Sequence, residues 1–123
     1  MQSELTGQGA ADGVSIESLP GSREGVRVLK ITGPLTTRNF FEFQEAARGD
    51  TSPLLIIDLD DVPFMDSAAL GCLLGVHVSR ERSHRKYAIV HAAPMLLTMF
   101  EVTGVKDVLV SFPTVEAAEA ALR

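Results

Sequence analysis

The run Leu54-Leu-Ile-Ile-Asp-Leu-Asp-Asp-Val-Pro-Phe-Met-Asp-Ser-Ala-Ala-Leu-Gly71 constrains this chain more than any other segment. Leu54–Leu59 lacks polar–apolar alternation, which is the pattern of a strand buried on both faces in a parallel, helix-covered sheet. A polar turn follows and delivers Asp66-Ser67 to the start of a new apolar segment. Ser67 is therefore expected outside the end of a buried strand and at the beginning of a helix. That is where open α/β sheets usually carry their function.

The flanking segments complete the pattern. Residues 1–13 are rich in Gly, Gln, Ser and Ala and read as a loose tail, which leaves 14–123 as one domain. Val14–Leu19 alternates, Pro20–Gly25 is a turn cluster, and Val26–Thr32 is a second strand, so the two predict a hairpin. After Gly33-Pro34, Thr36 or Thr37 can cap a helix from about Arg38 to Arg48, with Phe40, Phe43 and Ala47 on one face. A second helix is expected from Ser67 to about Arg82. Its small residues Ala68, Gly71, Cys72 and Gly75 fall at i, i+3, i+4 and i+7, which predicts a bare stripe packed close to a sheet. Then come a strand at Lys86–His91, a helix opened by Ala93-Pro94 and closed by Gly104, a strand at Val108–Val110 and a closing helix at Pro113–Leu122. The order β-β-α-β-α-β-α-β-α predicts an α/β domain, with a mixed sheet (N-terminal hairpin plus parallel strands) and about four helices.

Charge and composition remove several classes of function. A net charge of -5 argues against nucleic acid as a direct partner, because neutralising phosphates needs clustered Lys and Arg. No apolar run approaches the ~20 residues that span a bilayer, and no signal-peptide pattern opens the chain, so a membrane partner is not expected. The single cysteine, Cys72, excludes an internal disulfide and fits a reducing cytoplasm. It reads as a small core residue. His77, His84 and His91 lack metal-ligand spacing, and neither a metal nor a cofactor is expected. Arg80, Arg82, His84, Arg85 and Lys86 cluster where cations complement the end of the second helix, with an anion-binding patch as the alternative. In the third helix Leu96, Leu97 and Phe100 can face the core. Met95 or Met99 is then left partly exposed, as adaptable partner surfaces often are.

Three chemistries compete at the central stretch. Ser67 can be a phosphoacceptor on a binding surface, or simply an N-cap, a role open to Asp66 as well. Asp58 ends a buried strand as the aspartyl acceptor of a receiver domain does. The acidic pair such a site needs after the first strand is replaced by Pro20-Gly21-Ser22. A hydrolase nucleophile is disfavoured too, since Met65 and Ala69 stand where the Gly-x-Ser-x-Gly elbow requires glycine. No Walker-type phosphate loop is present. Catalysis is not expected.

Ile56-Ile57-Asp58-Leu59, Val62-Pro-Phe-Met-Asp-Ser67, Leu70-Gly71-x-Leu73-Leu74 and the earlier Ile31-Thr-Gly-Pro-Leu35 together resemble the STAS domain family, in particular bacterial anti-sigma factor antagonists of the sporulation and general-stress type. The likeness runs from about Val14 to Leu122. It implies a cytoplasmic, non-enzymatic partner switch. A kinase-type anti-sigma factor would phosphorylate the serine that aligns with Ser67, and a PP2C-type protein phosphatase would reset it. Only the unphosphorylated form would bind the kinase and free the sigma factor. The docking surface implied is Asp66, Ser67, Ala68 and Gly71 with Gly33, Leu35 and Thr36, joined by Met95 and Met99. The chain departs from the usual Asp-Ser-Ser-Gly-Leu by placing Ala68 and Ala69 after Ser67, which leaves Ser67 the only hydroxyl of the motif. Thr36 stands where the family often has an aspartate. The alternative is a STAS scaffold or adaptor, for instance in a stress-signalling or lipid-transport assembly, with Ser67 as a cap only.

Overall fold

Leu54–Asp61 forms the central strand β3, and Leu54 to Leu59 are all buried, as the unbroken apolar run requires. The computed structural model of the protein describes residues 13–122. The expected tail therefore lies, up to residue 12, outside the described residues. Around β3 a five-stranded sheet forms in the order β1-β2-β3-β4-β5. Its other strands are β1 (Ser15–Pro20), β2 (Val26–Thr32), β4 (Lys86–Val90) and β5 (Ser111–Phe112). β1 and β2 pair antiparallel, and every later pairing is parallel. This is the expected hairpin plus parallel array.

The helices are α1 (Phe40–Gly49), α2 (Ser67–Arg82), α3 (Pro94–Val102) and α4 (Val115–Leu122). The crossover helices α1 to α3 share one face. There Phe43, Leu73, Leu96 and Phe100 close over Leu29, Ile31, Leu55, Ile57 and Ile89 in one apolar cluster. On the other face, among the described residues, α4 stands alone, and its Ala118 seats against Val26, Leu54, Ile56, Ala88 and Val90. Thr114 caps α4 by accepting the Ala117 N–H at 3.1 Å.

Four details differ from the expectations, each for a physical reason. The small-residue stripe of α2 does not face the sheet. Gly71 and Gly75 are exposed, and a Cβ on either would touch nothing within 4 Å. The buried side carries Ala69, Leu70, Cys72, Leu73 and Val76, because burying a Leu or Val side chain gains about 1.5–3 kcal/mol and a glycine brings no side chain to bury. In α3 Leu96 and Phe100 are core, but Leu97 is 40% exposed beside Met95 at 64%, and Met99 is half-buried. The last strand lies at Ser111–Phe112 rather than Val108–Val110, since Val108 and Leu109 turn back to bond the Val105 carbonyl at 3.0 Å. Leu109 is thereby driven into the core, and Val110 first meets β4 through its carbonyl, 2.8 Å from the Ile89 N–H.

Arg80 is the fourth. It does not solvate the end of α2 but is 3% exposed, with its guanidinium turned inward. Nη2 donates to the carbonyls of Ser52 (2.6 Å) and Lys86 (2.8 Å), and Nη1 to the carbonyl of Asp50 (3.1 Å) and its Oδ1 (3.4 Å). One side chain thus fastens the loop before β3 to the start of β4. Burial lowers its pKa, opposed by the attraction of Asp50.

Candidate functional site

Two loops meet just beyond the carboxyl ends of β2 and β3. Gly33 leaves β2 with φ +104°, and a Cβ there would fall 1.9 Å from the Gly13 carbonyl oxygen, so both conformation and space demand glycine. Leu35, wholly buried, forms an isolated parallel bridge to Met65. Its N–H donates to the Phe64 carbonyl at 3.1 Å, and its carbonyl accepts the Asp66 N–H at 3.2 Å. The β2–α1 loop is therefore laced to the segment that carries Asp66 and Ser67.

Within that loop Thr36 and Thr37 do not cap α1, as their hydroxyls and position had suggested. The Thr36 N–H donates to Asn39 Oδ1 at 2.9 Å, Asn39 Nδ2 donates to the Pro34 carbonyl at 3.0 Å, and Thr36 Oγ1 accepts the Arg38 N–H at 3.2 Å. The loop folds on itself, and α1 begins at Phe40 after Asn39. Thr37 turns the other way. Its N–H and its hydroxyl both donate to Asp66 Oδ2, at 2.8 and 2.9 Å.

Asp66, in extended backbone conformation, is the N-cap of α2, and its Oδ1 accepts the Ala69 N–H at 3.0 Å. That is the third helical position, the geometry an N-cap carboxylate favours. Ser67 cannot hold the same role, because the Leu70 N–H it would satisfy already bonds the Asp66 carbonyl at 3.0 Å. The capping role considered for Ser67 therefore belongs to Asp66. Ser67 is the first helical residue, exposed, and among the described residues no group engages its hydroxyl. The Thr37 N–H, then that of Ala69, holds the Asp66 carboxyl below the usual carboxylate range.

The remaining expected site residues distribute unevenly. Ala68 and Thr36 are half-buried and Gly71 is exposed. Met95 opens α3, which leaves the same edge of the sheet, the carboxyl end of the parallel strands, as do Ser67 and the Gly33–Thr37 loop. Met99 lies a turn deeper and packs on the core. Leu35 and Gly33 shape the loop from within. Sequence reasoning missed Phe64, 45% exposed in the turn before Asp66, and the Thr37 tie. Pro63 and Phe64 are both exposed between buried Val62 and Met65, so no alternation in the sequence marks Phe64 as outward-facing. Nothing local signals Thr37.

Asp58 lies elsewhere, on the α4 side of the sheet. Its Oδ1 accepts the Asp60 N–H at 3.0 Å and meets His91 Nδ1 at 3.1 Å, while Lys30 Nζ is 3.9 Å from Oδ2. Pro20-Gly21-Ser22, where an acidic pair would have to stand, is at the opposite edge of the sheet. Among the described residues no three His, Cys, Asp or Glu side chains come together to hold a metal ion, and no helix is long and apolar enough to cross a membrane.

The sequence profile of the STAS domain matches residues 21–118. The chain belongs to the STAS domain family. Among its relatives is an anti-sigma-B factor antagonist of Staphylococcus aureus, 26% identical over 84 residues that cover 66% of this chain and 78% of that protein. This STAS domain also superposes on an anti-sigma factor antagonist from Mycobacterium paratuberculosis with a TM-score of 0.78 at 24% identity, covering 93% and 97% of the two chains. The phosphorylated form of the Bacillus cell fate determinant SpoIIAA gives a TM-score of 0.64 at 18% identity, covering 89% and 100%.

Proposed function

We propose that this STAS domain is an anti-sigma factor antagonist of the partner-switching type. In its unphosphorylated form it binds a kinase-type anti-sigma factor in the cytoplasm and frees a sigma factor. That kinase phosphorylates Ser67, the complex falls apart, and a PP2C-type phosphatase restores the hydroxyl. The chain itself catalyses nothing, and the working unit is residues 14–123. One observation supports the reading above the others: Asp66 carries the cap, so Ser67 offers an exposed, unbonded hydroxyl at the first helical position.

The electrostatics agree. A phosphate on Ser67 brings about -1.5 to -2 charges beside the Asp66 carboxylate. The helix N-terminus tolerates that charge, so the domain stays folded and the penalty falls on whatever docks there. The docking surface is formed by Ser67, Ala68 and Gly71 with Thr36 and Met95, over the frame set by Gly33, Leu35 and Asp66, and Met99 supports it from beneath. Phe64 adds apolar contact area.

The test is direct. The purified chain is incubated with its cognate kinase-type anti-sigma factor and ATP, and intact mass and modified site are read. One added phosphate at Ser67 is expected, with Ser67→Ala retaining binding and Ser67→Asp losing it. Unchanged mass together with unchanged binding by Ser67→Asp would indicate a constitutive adaptor instead.

A further inference from the structure

At the edge of the sheet opposite Ser67, the β1–β2 turn, the α1–β3 loop and the α2–β4 turn converge on a groove of about 530 Å3. That volume lies within the range of small-molecule sites. Among the described residues its charged groups are Arg23, Arg85 and Lys86, with the His84 imidazole beside them and Glu24 as the one carboxylate.

Helix-end electrostatics do not account for all of this cluster. Arg82 complements the carboxyl end of α2, but Arg23 comes from the β1–β2 turn, where no helix ends. Among the described residues neither Arg23 nor Arg85 pairs with a carboxylate. Among the described residues Lys86 Nζ reaches only the Leu122 carbonyl, at 3.5 Å. In a chain of 16 acidic and 11 basic residues, partners were plentiful. Among the described residues the groove thus gathers three cations against one carboxylate. Arg85 even opposes the charge of Arg80, whose pKa is lowered first by burial and then by that repulsion.

The three segments that line the groove are tied to one another through their backbone. The Leu54 N–H bonds the Gly25 carbonyl at 3.1 Å, and the Lys86 N–H bonds that of Pro53 at 2.9 Å. Arg80 clamps Ser52 to Lys86 from below. His84 turns the chain in the left-handed region at φ 59°, and the Arg85 N–H returns to the Arg80 carbonyl at 2.9 Å. The backbone that carries the three cations is thereby held in place, while Arg23 and Lys86 keep exposed side chains.

We propose that this groove binds a soluble small molecule bearing two or more phosphate groups. The forks of Arg23 and Arg85 and the Lys86 ammonium take the phosphate oxygens, and Val26, Pro53 and Leu54 form an apolar floor under the rest. Guanidinium geometry matches phosphate oxygens in pairs. Three cations against Glu24 leave room for more than one phosphate. The site is independent of the role of Ser67.

Inorganic pyrophosphate is the probe, titrated into the full chain at low ionic strength and followed by calorimetry and by the thermal unfolding midpoint. Saturable binding is expected, with a rise in midpoint that sodium chloride of equal ionic strength does not reproduce. Arg23→Gln/Arg85→Gln weakens binding about ten-fold or more, whereas Lys106→Gln, which removes a charge outside the groove, leaves it intact. If circular dichroism shows the double variant misfolded, Arg23→Gln on its exposed turn gives the same comparison. Three results overturn the proposal: no saturable binding at millimolar pyrophosphate, equal binding by the arginine variants, or attachment to phosphatidic acid vesicles with no response to pyrophosphate.

Discussion

Thr37 and Asp66, 29 residues apart, are joined by two hydrogen bonds to a single carboxylate oxygen, at 2.8 and 2.9 Å. The other oxygen of Asp66 starts α2. One side chain therefore fixes both where the helix begins and how the β2–α1 loop lies against it. Ser67, next in sequence, is left with nothing to hold.

This division of labour is measurable. Asp66→Ala removes the cap and both Thr37 bonds, and is expected to lower stability by about 2 kcal/mol. Ser67→Ala removes only an exposed hydroxyl and stays within about 0.5 kcal/mol of the parent. Urea unfolding followed by circular dichroism separates the two. Equal losses in both variants would return the cap to Ser67.

Asp66 also sets part of the acid limb of stability. Its carboxyl is held below the ordinary value of 3.8, chiefly by the Thr37 N–H and then by that of Ala69. The unfolded chain thus binds this proton more readily than the folded one. The contribution is complete above the ordinary carboxylate value and is lost as pH falls through the lower, folded-state value. Asp66→Asn keeps a capping oxygen but cannot titrate. Stability is expected to fall less steeply for that variant than for the parent below about pH 4, read from urea midpoints across the acid range. Parallel profiles would show that the carboxylate contributes no pH dependence.

Thr37→Val keeps the backbone N–H bond and deletes the hydroxyl bond. The expected loss is about 1 kcal/mol, with faster hydrogen exchange at residue 37 and at Ala69. Exchange at the Leu55 and Ile57 amides, deep in β3, should not change until global unfolding. Acceleration confined to Ala69, with residue 37 unchanged, would indicate that the hydroxyl does not steady the loop.

What the sequence discloses and what it hides divide along the distance over which the determining contacts act. The β3 strand, the hairpin and the helix starts at Ser67 and Pro94 rest on neighbours in sequence: an unbroken apolar run, a Pro-Gly turn, Asp66 before Ser67 and a proline at the first helical position. The orientation of α2 could not be read so. Its small stripe and its leucine stripe each have helical spacing, and the larger gain from burying the leucines decides between them. Thr37 and Arg80 belong to a further class. Their partners lie 28 to 30 residues away, except for Lys86. A threonine before a helix and an arginine at the end of one look like surface residues until the loops are in place. The strand expected at Val108–Val110 fails similarly, since burial of Leu109 turns its β-branched neighbours out of register.

Arg80 offers the sharpest test of such a long-range contact. Its guanidinium satisfies the carbonyls of Asp50, Ser52 and Lys86 at once, so Arg80→Met leaves these groups unsatisfied and Asp50 without its buried partner. The expected loss is about 3–5 kcal/mol, a large part of what a domain of this size possesses. Lysine is no substitute, because one ammonium cannot reach three carbonyls in two separate segments as the planar fork does. Arg80→Lys is therefore expected to lose most of the same stability, whereas Arg82→Lys, on the exposed side of the same turn, changes it by less than about 0.5 kcal/mol. Thermal and urea unfolding of the three variants side by side decides the matter. If Arg80→Lys unfolds with the parent, a simple cation suffices there and the multiple carbonyl bonds contribute little.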